Sequence, residues 1–197
     1  MPTRQRLTRA DWVDAGLVAL TTKGPDAVAV ERVAAALGAT KGSGYWHFAN
    51  RQDLLCAVLE RWKQTYTHDL IRRVEDSGGS VHDRLTRLIS IVSASAETSP
   101  AELLVIGSHD PVVRSAVEDS VAARLAYLEG LLREAGLSRP QARTRAVLAY
   151  SAYLGHATLA ATTPTALPQS VAERRRMQRA LVSLALPEHT DPPAGAR

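Results

Sequence analysis

Apolar residues recur every three or four positions along almost the whole chain, and this spacing is typical of amphipathic α-helices. Between Pro111 and Gly136 the apolar positions have near-heptad spacing, which predicts one long helix. No segment alternates apolar and polar residues with the period of two that marks a half-buried strand, and no segment is repeated. The pattern therefore predicts an all-α chain of about nine helices.

Capping residues, glycines and prolines mark where the predicted helices begin and end. Thr8 and Asp11 form a T-x-x-D capping box, and Asn50 and Asp53 form a second capping pair. The predicted helices are helix one from Thr8 to Gly24, helix two around Val30 to Leu37, helix three from Lys41 to Phe48, helix four from Asn50 to the loop SGGS, helix five around Val81 to Val92, helix six from Ala101 to Ile106, helix seven from Pro111 to Gly136, helix eight from Ser138 to Thr163 and helix nine from Gln169 to Leu186.

The second and third predicted helices are short and are separated by a turn that contains Gly38. This arrangement is the helix-turn-helix pattern, in which the second helix enters the major groove of DNA. Gly42 and Gly44 each cost about 1 kcal/mol of helix propensity relative to alanine, so we interpret both as allowing close approach to DNA rather than as a packing need. Phe48 is expected to pack helix three onto helix one.

Polar side chains on and after the third helix suit contacts with DNA. Lys41 and Ser43 lie in its first turn, where side chains reach base edges. The Tyr45 hydroxyl, His47 and the Arg51 guanidinium are placed for phosphates, which fix a protein's register without reading sequence. The stretch therefore predicts both base and backbone contacts.

Charge is distributed unevenly along the 197 residues, of which 45% are apolar. Residues 1–73 contain 11 Lys and Arg against 7 Asp and Glu, whereas residues 74–197 contain 13 of each kind, so the first third carries the whole formal net charge of +4. A local basic excess favours a partner rich in phosphate. The single cysteine, Cys56, forms no internal disulfide, and the start of the chain lacks the apolar run of a secretory signal, so we expect a cytoplasmic protein.

The run from Val33 through LGATKGSGYWHFANRQDLL resembles the signature of TetR-family (tetracycline-repressor-like) transcriptional regulators. The resemblance implies a helix-turn-helix DNA-binding domain at residues 1–50 and a larger ligand-binding and dimerisation domain at residues 51–186, with a disordered tail at residues 187–197. It also implies a homodimer that binds a palindromic, double-stranded operator and is released by a small-molecule effector. On this reading the protein is a repressor.

Position by position, the resemblance implies that one set of residues faces DNA. These residues are Arg4, Arg6, Thr40, Lys41, Gly42, Ser43, Tyr45, Trp46, His47 and Arg51. Two positions depart from the family's pattern: Ala29 stands where a threonine is frequent, and an acidic residue, Glu31, stands at a position that sometimes contacts DNA. Glu31 is expected to repel phosphate unless a neighbour such as Arg32 pairs with it.

The segment from 146 to 172 has no formal charge, but its polar residues and two prolines make a membrane helix a poor interpretation. Its small residues favour helix packing, and the predicted dimer contacts are Ala149, Ala152, Gly155, Leu181 and Leu184. Apolar rings with polar tips suit small organic molecules. The effector-binding candidates are Trp62, Tyr66, His109, Tyr127, Tyr150, Tyr153 and His156, each of which core packing or dimer contacts explain equally well. The expected effector is mainly apolar or aromatic.

Other interpretations lack the residues that they need. The glycines at 42 and 44 follow no strand and do not lead into G-K-[ST], so they form no phosphate loop. No catalytic triad, nucleophile elbow or paired metal-ligand spacing is present, so we expect no enzyme, no metal site and no cofactor. An activator and a regulator controlled by a partner protein remain alternatives. A helical enzyme and a ligand-binding protein that has lost DNA binding are the alternatives from other classes.

Overall fold

The computed structural model describes residues 7–98 and 101–186, with side chains described except at 95–98 and 101–102. These residues confirm the all-α prediction and contain nine helices and no strand. The helices are α1 (Arg9–Lys23), α2 (Val30–Ala36), α3 (Lys41–His47), α4 (Arg51–Lys63, a π-helical turn Gln64–His68, then Asp69–Asp76), α5 (Val81–Thr98), α6 (Ala101–Ile106), α7 (Pro111–Glu134), α8 (Arg139–Thr162) and α9 (Val171–Ala185). Arg4, Arg6 and the predicted tail at 187–197 lie outside the described residues.

Short polar side chains begin several helices as predicted. The Thr8 backbone N–H and hydroxyl donate to the Asp11 carboxylate at 2.6 and 2.7 Å, and these bonds hold the pKa of Asp11 below its ordinary value. The Thr40 hydroxyl oxygen accepts from the Ser43 N–H at 3.2 Å at the start of α3, and Ser138 forms its capping box at the start of α8. These bonds satisfy backbone N–H groups that have no partner within the helix.

Two features of the helices differ from the prediction. Helix α9 begins at Val171 rather than at Gln169, because Ser170 and Glu173 form a capping box there: the Ser170 hydroxyl donates to the Glu173 carboxylate at 2.9 Å. Helix α4 contains the π-helical turn Gln64–His68, which the apolar spacing does not reveal. Within this turn Thr67 is buried, and its hydroxyl lies 2.6 Å from that of Ser120.

The chain divides into two compact units, one comprising residues 1–70 and 99–122 and the other comprising residues 71–98 and 123–197. The first unit has a core of buried side chains from α1 to α4, to which Val105 and Val113 also belong. Its largest fully buried residues include Trp12 and Phe48, so the predicted core position of Phe48 is confirmed. The predicted functional boundary after residue 50 stays a prediction.

The second unit has its own apolar core and, apart from that core, a network of polar side chains. The core consists of Leu85, Leu128, Leu131, Leu132, Ala142, Ala146 and Ala185. Arg84 forms ion pairs with Glu75 and Glu134, and the Tyr127 hydroxyl donates to Glu75 at 2.6 Å. The bond from Tyr127, and then those from Arg84, lower the pKa of Glu75, while burial and this bond raise the pKa of Tyr127. The network therefore fastens together the end of α4, α5 and α7.

The uncharged segment identified in the sequence forms the second half of α8, the 3₁₀ turn Pro164–Ala166 and the start of α9. Among the described residues, every helix is too short or too polar to cross a membrane.

Gly44 lies on the buried side of α3. A Cβ atom there would lie 2.6 Å from Cγ1 of Val30 and 2.7 Å from the ring of Trp12, and real Cβ atoms essentially never approach heavy atoms so closely. The interpretation of Gly44 as a DNA-approach glycine is therefore wrong: packing against α1 and α2 requires it. Gly42 is exposed, and a Cβ there would meet only the Thr40 hydroxyl oxygen, at 3.9 Å.

We expect Gly44→Ala to lower the free energy of unfolding by about 1–3 kcal/mol, because the added methyl group overpacks the core. Gly42→Ala is the matched control, since it adds the same methyl group to the same helix in open space and gains about 1 kcal/mol of helix propensity. Urea unfolding of both variants at one protein concentration provides the comparison. If Gly44→Ala were as stable as Gly42→Ala, the steric explanation would be wrong.

Candidate nucleic-acid interface

The helix-turn-helix is built by α2, the turn at Gly38 and α3. Gly38 has a φ of 61°, in the left-handed region where glycine has no steric penalty, and it ends α2. Thr40 then caps α3, and Gly44 and Phe48 fix one side of α3 to the core. The opposite side of α3 therefore faces solvent, and its side chains do not take part in the packing that orients the helix.

The solvent side of α3 combines a cation with two exposed rings. Lys41 and Gly42 are exposed, and the exposed fractions of Tyr45 and Trp46 are 46% and 70%. Two large rings on a seven-residue helix are exposed to solvent, and exposed apolar surface of this kind is typical of a binding face. Ser43 is half-buried beside them.

The Tyr45 hydroxyl bridges α3 to α2. It donates to Oε1 of Glu31 at 2.7 Å, and this bond lowers the pKa of Glu31 and raises that of Tyr45. The partner of Glu31 is thus Tyr45 and not its neighbour Arg32, because side chains at adjacent helix positions point in different directions. Arg32 instead donates to the backbone carbonyl of Asp26 at 2.6 Å.

This bond bears on the predicted phosphate contact of Tyr45. A phenol has one proton to donate, and here that proton goes to Glu31. Donation to a phosphate requires that the bond to Glu31 is broken first. The phosphate contact stays a prediction, and the structure adds a competing acceptor to it.

His47 lies between α3 and the beginning of the described chain. Its Nε2 lies 3.2 Å from the carbonyl oxygen of Leu7 and donates to it, since that oxygen only accepts. The imidazole also meets the Trp46 ring edge-on, with centroids 4.9 Å apart. With Nε2 engaged, only Nδ1 remains for the predicted phosphate contact.

Arg51, the first residue of α4, contacts backbone and acidic groups of the first unit. Its Nη2 donates to the Pro25 carbonyl oxygen at 3.1 Å and lies 3.9 Å from the Asp26 carboxylate, while Nη1 lies 3.8 Å from that of Asp110. Asp110 in turn accepts from the Val112 N–H at 2.9 Å, near the start of α7. Arg51 therefore positions loops of this unit, and its phosphate contact stays a prediction.

Arg9 is a further cation that the sequence analysis did not place. Its guanidinium lies 4.8 Å from the centroid of the Phe48 ring and 3.6 Å from the Asp53 carboxylate. In the sequence, the only sign of a role for Arg9 is its position near the start of the predicted first helix.

The predicted effector residues lie in both units. In the first unit Trp62 is buried in the core, whereas Tyr66 and His109 are exposed. The second unit contains Tyr127, whose hydroxyl is bonded to Glu75, the buried His156, and Tyr150 and Tyr153, whose ring centroids lie 6.0 Å apart. Their role in effector binding stays a prediction.

The predicted dimer residues lie on α8 and α9. Gly155 and Leu184 are exposed, while Ala149, Ala152 and Leu181 are half-buried. Further apolar side chains are exposed on α8, namely Val147, Leu148 and Leu159, at 41% to 48%. The exposed surface of α8 after Ala146 is therefore uncharged, and it is apolar apart from polar side chains such as Ser151 and Thr158.

The sequence of residues 13–58 matches the model of the family described as bacterial regulatory proteins, tetR family. This segment contains α2, α3, most of α1 and the beginning of α4. No curated protein has a significantly similar sequence.

Solved structures with low sequence identity share the fold. A TetR transcriptional regulator from Legionella pneumophila has a TM-score of 0.70 at 14% identity, with 91% of this chain and 97% of that chain covered. A TetR-family regulator from Streptomyces coelicolor has a TM-score of 0.70 at 16% identity, covering 90% and 85%. The regulator FadR from Bacillus subtilis, in complex with stearoyl-CoA, has a TM-score of 0.59 at 16% identity, covering 92% and 100%.

The helix-turn-helix segment carries the family's sequence pattern, and the whole fold agrees with it. Residues 13–58 therefore carry the sequence pattern of the tetR family of bacterial regulatory proteins, and the chain shares the fold of solved TetR-family transcriptional regulators.

Proposed function

We propose that this protein is a dimeric transcriptional repressor that binds a palindromic operator and is released by a small, mainly apolar or aromatic effector. The observation that carries the proposal is the solvent side of α3, which presents Lys41, Tyr45 and Trp46 on a helix fixed from behind by Gly44 and Phe48. A cytoplasmic location follows from an operator on the bacterial chromosome. An activator, or a regulator controlled by a partner protein, is the alternative.

The same geometry supports a division of roles along α3. Lys41 stands in the first turn of α3, and the first turn of a recognition helix reaches base edges. A lysine that contacts the O6 or N7 of guanine discriminates bases, whereas one that contacts phosphate does not. Lys41 is therefore proposed as a base contact, and Arg4 and Arg6 as contacts in an adjacent groove.

We expect Lys41→Ala to weaken binding to the preferred operator by about 5-fold to 150-fold and to weaken binding to scrambled duplex much less, because a base contact is worth about 1–3 kcal/mol only at the correct base. The operator is first obtained by sequencing the genomic fragments that the purified protein binds. Lys23→Ala is the control, since it removes the same charge from an exposed position at the end of α1. Equal losses on operator and scrambled duplex for Lys41→Ala would assign Lys41 to phosphate.

A dimer is supported by the apolar, uncharged face of α8. Removal of these exposed apolar side chains from water by a partner lowers the free energy. The same surface on a second copy can cover them across a two-fold axis. Gly155 lies in this face, and a Cβ at this position would contact no atom of the chain within 4 Å. A Cβ at position 155 therefore causes no steric clash within the chain, and Gly130 in α7 provides a control for the change in helix propensity.

We expect Gly155→Glu to raise the dimer dissociation constant at least about tenfold, because a charge would be buried in the interface without a partner. Gly130→Glu is the matched control, because Gly130 on α7 is also exposed and a Cβ there is equally unobstructed. Analytical ultracentrifugation measures both variants and the wild type. A wild-type protein that sediments as a monomer at micromolar concentration would contradict the proposed dimer.

The proposed effector site draws on tyrosines of the second unit. Tyr150 and Tyr153 form a ring pair on α8, and Arg124 Nη1 donates to the Tyr150 hydroxyl at 3.4 Å. Rings with hydrogen-bonding tips suit an organic molecule with few polar groups. The Bacillus subtilis FadR structure contains stearoyl-CoA, which joins an apolar acyl chain to a charged coenzyme A, and the acyl chain supports an effector with an apolar part here.

We expect Tyr153→Ala to weaken an effector's release of DNA on the order of tenfold, since the variant loses a ring contact, while operator affinity without effector stays unchanged. Fluorescence polarisation of a labelled operator, titrated with apolar and aromatic compounds, measures both quantities. Compounds that bind the protein and never change its DNA affinity would contradict the effector proposal and leave DNA binding in place, because release requires different affinities for two states.

A further inference from the structure

Glu31 is a carboxylate fixed at the solvent side of the helix-turn-helix. It is exposed near the start of α2, and the Tyr45 hydroxyl, fourteen residues further along the chain, donates to its Oε1 at 2.7 Å. The field of Lys41 also acts on it. The Glu31 carboxylate is thus hydrogen-bonded to α3. The proposed function, on which this inference rests, places α3 against DNA.

A carboxylate at this surface weakens sequence-independent binding. DNA phosphates are anionic, so an ionised Glu31 repels them and lowers affinity for every duplex. The bond from Tyr45 lowers the pKa of Glu31 below its ordinary value of 4.5, so the group stays ionised at neutral pH. This loss of affinity is offset only where the DNA presents a hydrogen-bond donor to the Glu31 carboxylate.

Such donors are few on DNA. Phosphates and deoxyriboses within a duplex only accept hydrogen bonds, and the major-groove edges of guanine and thymine also lack donors. Adenine has an amino group, but the N7 acceptor beside it repels a carboxylate. Cytosine has the N4 amino group without an adjacent acceptor on the same base, so it is the base that a carboxylate accepts from best.

The bond from Tyr45 prepares the carboxylate for this contact. It engages Oε1 and restricts the rotation of a flexible side chain before DNA arrives, which lowers the entropy cost of binding. A carboxylate has about four lone-pair sites, so this bond leaves sites for a further donor. We propose that Glu31 reads the amino group of a cytosine at one position of each operator half-site, with Tyr45 as its positioning residue.

The test measures binding of the wild type, Glu31→Gln, Tyr45→Phe and the control Glu118→Gln to operator duplexes that carry each of the four bases at each half-site position. Scrambled duplex at two salt concentrations completes the set. Glu118 is an exposed carboxylate on α7, so its variant makes the same change in net charge, with the loss of only an exposed ion pair to Arg114. Circular dichroism and urea unfolding confirm that all variants are folded.

We expect Glu31→Gln to lose a cytosine preference of about 5-fold to 150-fold at one position, because glutamine both donates and accepts and so tolerates other bases. Its affinity for scrambled duplex should rise, with a salt dependence steeper than that of the wild type. Tyr45→Phe should keep the position of the preference and reduce its size. Glu118→Gln should match the wild type in base preference.

Unchanged cytosine preference in Glu31→Gln, or an equal loss of affinity with all four bases at every position, would overturn the inference while DNA binding itself remained. A wild-type protein that binds no genomic fragment would overturn the proposed function together with the inference. The two failures are therefore distinguished by the wild-type titration.

Discussion

The close approach of α3 to Trp12 and Val30 is the constraint on which the proposed DNA-binding face depends. At Gly44 the backbone of α3 lies so near these side chains that no Cβ fits, and Phe48 completes the contact one turn later. Interiors pack at the density of organic crystals, so a helix seated in this way has one position rather than several. This packing sets the orientation of the exposed residues of α3, and none of those residues is needed for the packing.

Local features of the fold follow from the sequence because they involve residues three or four positions apart. Thr8, Thr40 and Ser138 are recognised as caps since each lies just before an apolar helical pattern and bonds an N–H two or three residues later. The S-x-x-E signature of Ser170 and Glu173 likewise marks the start of α9 at Val171, two residues after the predicted start at Gln169.

Contacts between residues far apart in the chain do not follow from helical spacing. Helix propensity shows that Gly44 is costly but not whether a neighbouring ring or a DNA backbone requires it. Sequence adjacency offers Arg32 as a partner for Glu31, whereas Glu31 accepts from Tyr45, fourteen residues away on another helix. The π-helical turn in α4 has no spacing signature of its own. The effector and dimer residues depend on molecules outside the chain, so neither the sequence nor one chain's structure tests them.

The ion pairs of the first unit change how far its positive charge acts. Arg9, Arg51 and Arg61 each lie within 4 Å of a carboxylate of the same unit, at Asp53, Asp26 or Asp110, and Asp14 respectively. At the distance of a Debye length, about 8 Å in physiological salt, such pairs act as dipoles rather than as full charges. The effective positive charge that attracts DNA from solution is therefore smaller than the arginine content indicates. The association rate should then depend less on ionic strength than the affinity of the docked complex does.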